Sequence, residues 1–383
     1  MKLYYNQNYI ATNFLKFFIN IFHLSKPLLN SLVFLITGMI SAESVVTSDV
    51  VRKLKDHFSS IAPESAERHF RRFFHSFSSF AYAFFDAFIS SIISRFTCKH
   101  SDNKIFISLD HMFCKKKFTI LLFSLRIGRQ GIPIWFRCFK GEHNSDAYSI
   151  ALIKQGISFS ANLFKSKNYH ICFLADRWFP SVDVLQHIHD IGCFYCIRAK
   201  SFFSFSFYNS AGRLVSKHLR DISPLKYSAK VLSNVFFTRK LFKTNIVVSN
   251  YSNTSEPWFL VTNDDTSRAV RNYSYRFGSI ECIFKSQKSN GFRLESTNTQ
   301  RIDHFISLYT VMCLSLVWLT IIGSDYVRNK HHYHIKIRDT RKHRDKSTSR
   351  LYSLFSLGLT IFNLCYYNSV DFVLKFNFVL YDL

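Results

Sequence analysis

A series of strand and helix patterns between residues 104 and 200 constrains the fold more than any other feature. Three consecutive strand patterns come first: KIFISLDHMF from Lys104, KFTILLFSLRIG from Lys117 and IPIWFRCFKGE from Ile132. A helix pattern at about 145–156 follows, then the apolar strand NYHICFLADRWF, the helix SVDVLQHIHDIG and the strand CFYCIRAK. Sequential strands followed by strand-helix-strand units predict an α/β fold, with helices flanking one mixed sheet.

Two aspartates lie at the ends of predicted strands. Asp110 closes the first strand pattern at ISLD, and Asp176 closes a later one at FLAD. Catalytic carboxylates often lie at such positions, because the strand fixes the backbone while the following loop leaves space for substrate. Each aspartate, taken alone, could equally serve a turn or cap a helix.

A third acid, Glu281, is isolated among basic residues in the stretch YSYRFGSIECIFKSQKSNGFRLE. Its basic neighbours are Arg276, Lys285, Lys288 and Arg293. On a helix, Glu281 and Lys288 share one face. This pattern is typical of an amphipathic surface helix with one salt bridge, and also of a metal ligand held beside a polyanion.

Together, Asp110, Asp176 and Glu281 suit a site for two divalent cations. Three carboxylates from two strands and a distant helix can hold two ions about 4 Å apart for phosphodiester chemistry. Hard oxygen ligands select Mg²⁺ or Mn²⁺ over Zn²⁺. The surrounding basic residues would then hold the DNA that the acids alone would repel.

The net charge favours a polyanionic partner. Lysine and arginine number 50 against 25 acidic residues, and the resulting charge of +25 is spread along the 383 residues. Phosphate contacts from such residues release counterions and add affinity for nucleic acid, although an anionic membrane is a competing partner. Nine scattered cysteines, several in apolar runs, indicate a reducing compartment, and we therefore expect a cytoplasmic, nucleoid-associated protein.

The order of strand Asp110, strand Asp176, a β-rich stretch and helix Glu281 resembles the DDE transposases of bacterial insertion sequences. The pairs Tyr273-x2-Arg276 and Glu281-x6-Lys288 resemble the Tyr-Arg-Glu-Lys signature of the subgroup with a β insertion before the glutamate. The resemblance covers residues from about 40 to 365.

This resemblance implies a ribonuclease-H-like catalytic domain whose mixed sheet is flanked by helices, with the β insertion before the catalytic glutamate. It implies that the three acids are catalytic and bind two Mg²⁺ or Mn²⁺ ions. The remaining signature residues, Tyr273, Arg276 and Lys288, would contact phosphates near the scissile bond. Arg177 agrees with the second-aspartate motif of the family, and Trp258 would stack on a flipped base, although it could also be plain core.

The spacing in this chain departs from that signature by one residue. Four residues separate Arg276 from Glu281, whereas the family has three. On a regular helix, this five-residue step turns the two side chains about 140° apart. A wide turn, or a break at Gly278 with Ser279 capping a new helix, could restore their register.

The N-terminal part of the chain reads as helices. In PESAERHFRRFFHSF, the basic residues Arg68, Arg71 and Arg72 oppose a phenylalanine face, which suits a small DNA-binding unit or an ordinary solvated surface. We divide the chain into five segments. They are an N-terminal helical DNA-binding region (1–100), the first part of the catalytic domain (101–200), the β insertion (201–262), the rest of the catalytic domain (263–327) and a basic C-terminal region (328–383).

The uncharged run 305–322 leaves a membrane protein as an alternative. Its eighteen residues approach the length that spans a bilayer, but its serines, threonines and tyrosine also suit a helix packed in a large core. We expect a transposase that cleaves element ends and joins them to target DNA, with double-stranded DNA as partner, no membrane, and a homodimer as the assembly. A decayed copy that binds DNA without cutting it is a further alternative.

Overall fold

Strands predicted in the central part of the chain are present, and further strands follow them. The computed structural model describes residues 24–55, 62–96, 103–224, 226–250, 256–289, 291–329, 337–342 and 348–368. Within them, the strands are β1 (Lys104–Cys114), β2 (Phe118–Ile127), β3 (Gln130–Lys140), β4 (His170–Ala175), β5 (Phe194–Ala199), β6 (Ser204–Tyr208), β7 (Leu214–His218), β8 (Ala229–Phe237), β9 (Phe242–Ser249), β10 (Trp258–Thr262), β11 (Thr340–Lys342) and β12 (Thr348–Arg350).

Helices surround these strands. They are α1 (Lys26–Ala42), α2 (Thr47–Lys53), α3 (Pro63–Ser78), α4 (Ala81–Ser94), α5 (Ile150–Asn162), α6 (Val182–Asp190), α7 (Ala269–Ser274), α8 (Ile280–Lys288), α9 (Ile302–Arg328) and α10 (Leu354–Asn368). The helical N-terminal region is therefore confirmed for the described residues, and α3 begins at Pro63, where a proline suits the first helical position.

The predicted mixed sheet is confirmed. Ten of the described strands form one sheet in the order β3-β2-β1-β4-β5-β10-β9-β8-β6-β7. β2 is antiparallel to β1 and β3, whereas β1, β4 and β5 are parallel. The connections between the parallel strands carry α5 and α6, as parallel pairing requires.

The strands of the predicted insertion extend this sheet. β10 pairs antiparallel with β5, and β9, β8, β6 and β7 continue outward from it. The chain then returns through α7 and α8 to the first half of the sheet, where α8 packs on β1, β2 and β3. The insertion thus covers the edge that β5 would otherwise expose.

The apolar run 305–322 lies in α9, at the centre of the helical layer. α9 packs against β3 and against α1, α3, α4 and α10. By length and composition it could cross a membrane, with a mean hydropathy of 2.2 over its best eighteen residues, and two bent helix pairs pass the same test together. Inside this structure, however, 94% of that window is buried. Its polar groups find partners there, and Ser307 Oγ donates to the carbonyl of Phe74 at 2.6 Å.

Two glycines set the close packing of α9 against α10. A Cβ added at Gly358 would fall inside contact distance of the Leu319 carbonyl, and one at Gly323 would meet the Leu354 carbonyl in the same way. Backbone atoms cannot move aside as the end of a side chain can. The two helices therefore approach one another only because both positions lack a side chain.

Replacement of Gly358 by alanine should destabilise the protein. The added methyl group must push α10 away from α9, and such overpacking costs about 1–3 kcal/mol. Gly278→Ala is a matched control, because its Cβ would meet nothing closer than 3.8 Å and its φ is not positive. Thermal denaturation of both variants measures the difference, and equal melting temperatures would contradict the close approach of the two helices.

Candidate active site

Asp110 and Asp176 lie side by side on neighbouring parallel strands. In the pairing of β1 with β4, Leu109 is opposite Ala175, the last residue of β4. Asp110 follows Leu109 and Asp176 follows Ala175, so the two aspartates are neighbours across the strands. Neighbouring strands are about 4.7–4.9 Å apart. The charge of Asp176 accordingly affects the ionisation of Asp110.

The strand that carries Asp110 continues past this residue, contrary to the sequence prediction. β1 extends to Cys114 because β2 stays paired with it as far as Phe118. Its parallel neighbour stops earlier, since β4 ends at Ala175. Asp110 therefore borders the space that opens beyond β4, next to the loop that starts with Asp176.

Glu281 approaches the two aspartates from the first turn of α8. The sheet fixes the start of this helix through two buried contacts. Ser279 Oγ lies 2.9 Å from Ser124 Oγ of β2. In addition, a Cβ at Gly131 would collide with the backbone carbonyl of Ser279, so glycine is required for this close approach. The position of Glu281 is therefore set by the hairpin of β2 and β3.

Arg276 joins the three acids. Its Nη2 forms an ion pair with Asp110 Oδ2, and its Nη1 lies 3.6 Å from Glu281 Oε1. Asp176 also acts on the guanidinium electrostatically. Because Arg276 is only 5% exposed, its charge is poorly screened by water. We call Asp110, Asp176 and Glu281 the carboxylate cluster, with Arg276 as its neutralising cation.

A break between two helices resolves the unusual spacing of Arg276 and Glu281. α7 ends at Ser274 and α8 begins at Ile280, so Arg276 lies in the connecting turn rather than on a regular helix. The break that the sequence allows at Gly278 is therefore present. Ser279 takes the N-cap position, but its hydroxyl is hydrogen-bonded to the sheet rather than to the helix backbone.

Burial makes the Asp110 carboxyl group difficult to ionise. It raises the pKa of Asp110 to about 6, although Arg276 and the backbone N–H of His111 act in the opposite direction. Asp176 and Glu281 raise this pKa further, because their negative charges oppose a third one nearby. Crowded carboxylates with one of them at a raised pKa are typical of functional sites.

The other signature residues have varied surroundings. Tyr273 is 1% exposed and packs edge-on against Trp258, with 5.1 Å between the ring centres. The ring centre of Phe277 lies 5.7 Å from that of the same tryptophan. Lys288 ends α8 and pairs with Glu295 at 2.8 Å. Trp258 is half-buried at the start of β10. The DNA contacts expected of Tyr273, Lys288 and Trp258 stay predictions.

A groove that the sequence analysis did not identify opens directly beyond Asp176. Its volume is about 540 Å³, and we call it the aromatic groove. Basic and aromatic side chains line it, and they include Arg177, Trp178, Lys200, Phe202, Arg239 and Lys240. Trp178 is 65% exposed, and the Lys200 ammonium lies 3.5 Å from its ring centre.

A signal for the aromatic groove was present in the sequence. Trp178 follows β4 and Phe202 follows β5, two parallel strands whose carboxyl ends meet at one edge of the sheet. Both residues therefore had to come close to Asp176. Arg177, the predicted DNA-binding residue in this loop, is exposed and lies 3.7 Å from Glu256.

The predicted basic face of α3 is exposed. Arg68, Arg71 and Arg72 line a cavity of about 510 Å³ on this helix, and its phenylalanines are buried. Arg71 pairs with Glu67 at 3.3 Å. The amphipathic character of α3 is confirmed, while DNA binding by its arginines stays a prediction.

No protein-family model matches this chain, and a search of curated proteins finds no significant match. A functional assignment therefore depends on the residues of the site and on their geometry.

Removal of the Arg276 guanidinium should strongly destabilise the protein. Arg276→Ala leaves the buried Asp110 carboxylate without its cation, and breaking a buried pair in this way costs about 3–5 kcal/mol. Lys288→Ala breaks an exposed pair and should cost about 1 kcal/mol or less. Urea denaturation at neutral pH in EDTA measures both values. An equal loss in the two variants would show that Arg276 does not neutralise the cluster.

The raised pKa of Asp110 predicts how stability depends on pH without metal. Its ordinary value is 3.8 and its folded value about 6, so the folded state binds more protons between these values. Stability should therefore fall as pH rises through this window, by about 2–3 kcal/mol in total. Asp110→Asn should remove this decline and Asp183→Asn, on the exposed α6, should keep it. Denaturation curves in EDTA across the window measure it, and the same slope in Asp110→Asn would exclude Asp110 as its source.

Proposed function

We propose that the protein is a DNA transposase that cleaves DNA at the ends of its element and joins the freed 3′-hydroxyls to target DNA. One observation carries this proposal: Asp110 and Asp176 are adjacent across two parallel strands, and Arg276 connects them to Glu281. Residues so distant in sequence form one acidic cluster inside a protein with a charge of +25. A structural role alone gives no reason to gather three acids around one buried cation.

The sheet topology supports a ribonuclease-H-like catalytic domain. Its first five strands have the order β3-β2-β1-β4-β5, with β2 antiparallel to its neighbours and β1, β4 and β5 parallel. The family that the sequence resembles has the order strand aspartate, strand aspartate, β insertion and helix glutamate, and here Asp110 lies on β1 and Asp176 directly follows β4. The additional strands lie between β5 and the helix that carries Glu281, where that family has its β insertion.

The carboxylate cluster has the ligand chemistry of a magnesium or manganese site. Its donors are hard oxygens from Asp110, Asp176 and Glu281, and the pKa of Asp110 is raised to about 6, first by burial and then by the charges of Asp176 and Glu281. Two bound divalent cations would lower the pKa of an attacking water or 3′-hydroxyl and would stabilise the departing oxygen. Arg276 would have to release Asp110 or Glu281 when those oxygens bind metal.

The surroundings of the cluster suit DNA. Arg177, Lys200, Arg239 and Lys240 supply positive charge in the aromatic groove, and Trp178 offers an exposed ring on which a base can stack. Trp258 is half-buried beside Tyr273 and Phe277, close in sequence to Arg276. We propose that the scissile strand crosses the carboxylate cluster and that its flanking nucleotides enter the aromatic groove.

Cleavage of a plasmid that contains the gene and its flanking DNA tests the proposal. The wild-type protein should cut at the element ends with Mg²⁺ and should not cut in EDTA. Asp176→Asn removes a ligand charge without changing side-chain size, and should lower the cleavage rate at least about 100-fold. Asp190→Asn is the matched control, because Asp190 is an exposed acid at the end of α6 that accepts from Gln186 at 2.6 Å and lies outside the aromatic groove.

Each outcome of this experiment has a clear meaning. Equal cleavage by wild type and Asp176→Asn would refute the assignment of the carboxylate cluster. Retarded migration of the end fragments without cleavage by the wild type would indicate a decayed copy that still binds DNA. The membrane alternative is favoured by the length and hydropathy of α9, but its burial supports a soluble core helix. Retention of the protein in membranes after carbonate extraction would favour the alternative.

A further inference from the structure

Three polar side chains meet where the end of α3 contacts the start of α9. They are His75, Asp303 and His304, and we call them the His75 cluster. One ligand atom of each residue lies within 4.8 Å of the others. His75 and Asp303 are 228 residues apart in sequence. The cluster is on the surface and contains different residues from the carboxylate cluster.

His75 and Asp303 face one another inside the His75 cluster. His75 Nδ1 lies 3.1 Å from Asp303 Oδ2 and 3.3 Å from Arg301 Nη2. A protonated Nδ1 donates to the carboxylate, and an unprotonated Nδ1 can accept from the arginine. His75 Nδ1 and Asp303 Oδ2 are also close enough to share one cation in place of that proton.

A cation between the imidazole and the carboxylate would take the place of the proton on His75 Nδ1. It would accept the lone pairs of His75 Nδ1 and Asp303 Oδ2 together. Arg301 now pairs with Asp303 at 2.6 Å, but its side chain is 60% exposed and can rotate into water. An exposed ion pair of this kind is worth little, so its loss costs little.

The donor set favours zinc over the ions expected at the carboxylate cluster. Two imidazoles and one carboxylate form a three-residue zinc set that leaves a fourth position for water. Tetrahedral bonds of about 2.0–2.1 Å place ligand atoms about 3.4 Å apart, so exposed side chains need to move only about 1 Å. Magnesium prefers oxygen ligands and would bind here poorly.

We propose that His75, Asp303 and His304 bind a zinc ion that fastens α3 to α9. The two helices already touch through Ser307 and the backbone of Phe74. A metal at this position would join them through side chains as well, and would fix the exposed arginines of α3 relative to the sheet. This inference does not depend on the proposed transposase activity, because it is tested by binding.

Thermal denaturation of the full-length protein with and without ZnSO₄ tests the inference, after metal removal with EDTA and in excess Mg²⁺. Zinc should raise the melting temperature by about 3 °C or more. His75→Asn and His304→Gln should each abolish this rise. His189→Gln, which alters an exposed histidine near the end of α6, should retain it. Melting temperatures in EDTA show whether each variant is folded.

Arg301→Gln separates a zinc site from a plain ion-pair network. It removes the cation that competes for Asp303, so the zinc-dependent rise should exceed that of the wild type. The absence of any rise in the wild type, or an equal rise in wild type, His75→Asn and His304→Gln, would overturn the proposal. A rise in Arg301→Gln no larger than in the wild type would also count against it, because Asp303 would then not be a ligand.

Discussion

The carboxylate cluster depends on the pairing of Leu109 with Ala175, because this pairing places two aspartates next to one another at the edge where β4 ends. Two carboxylates on neighbouring strands repel each other, and a third from α8 increases this repulsion. The buried Arg276 offsets part of the cost, and the pKa of Asp110 is still raised to about 6. The fold therefore retains an arrangement that opposes its own stability, which is typical of sites kept for function.

The remaining structure supports this arrangement. The hairpin of β2 and β3 provides Ser124 and Gly131, which hold the start of α8 against the sheet. β10 adds to the edge of β5 and leads the chain directly into α7, so the insertion delivers Arg276 to the two aspartates. Behind the sheet, α9 supplies a dense apolar layer. A site that carries strongly repelling charges needs rigid supports of this kind on every side.

Much of this architecture can be predicted from local patterns. The five strands between residues 104 and 200 and the two helices between them follow from periodicity, because each element is longer than the uncertainty in its ends. The two-faced character of α3 follows from its arginine and phenylalanine spacing. Asp110 and Asp176 could be identified as neighbours, since carboxyl ends of parallel strands meet at one edge. The structure of each of these elements is determined by residues that are close together in the sequence.

Other features depend on contacts between distant residues. β1 continues beyond Asp110 through its pairing with β2, while its parallel neighbour β4 ends at Ala175, and this difference in length is not visible in either strand alone. The break between α7 and α8 is set by the contact of Ser279 with Ser124, and the spacing of Arg276 from Glu281 is misleading without it. The His75 cluster joins residues 228 positions apart and has no local motif. Such features become predictable only when the packing of whole elements is known.

Basic residues accompany the acidic cluster of this protein. With a net charge of +25, an acidic cluster is costly to place anywhere that DNA must approach, unless cations accompany it. Arg276 fulfils this role inside the cluster, while Lys200 and its basic neighbours do so along the aromatic groove. Fixed positive charge therefore accompanies the acids, and the aromatic groove begins at Arg177, the residue after Asp176. Under the proposed function, a polyanion that follows the basic residues would be guided to the carboxylate cluster, and a DNA-cleaving enzyme requires this coupling of attraction and chemistry.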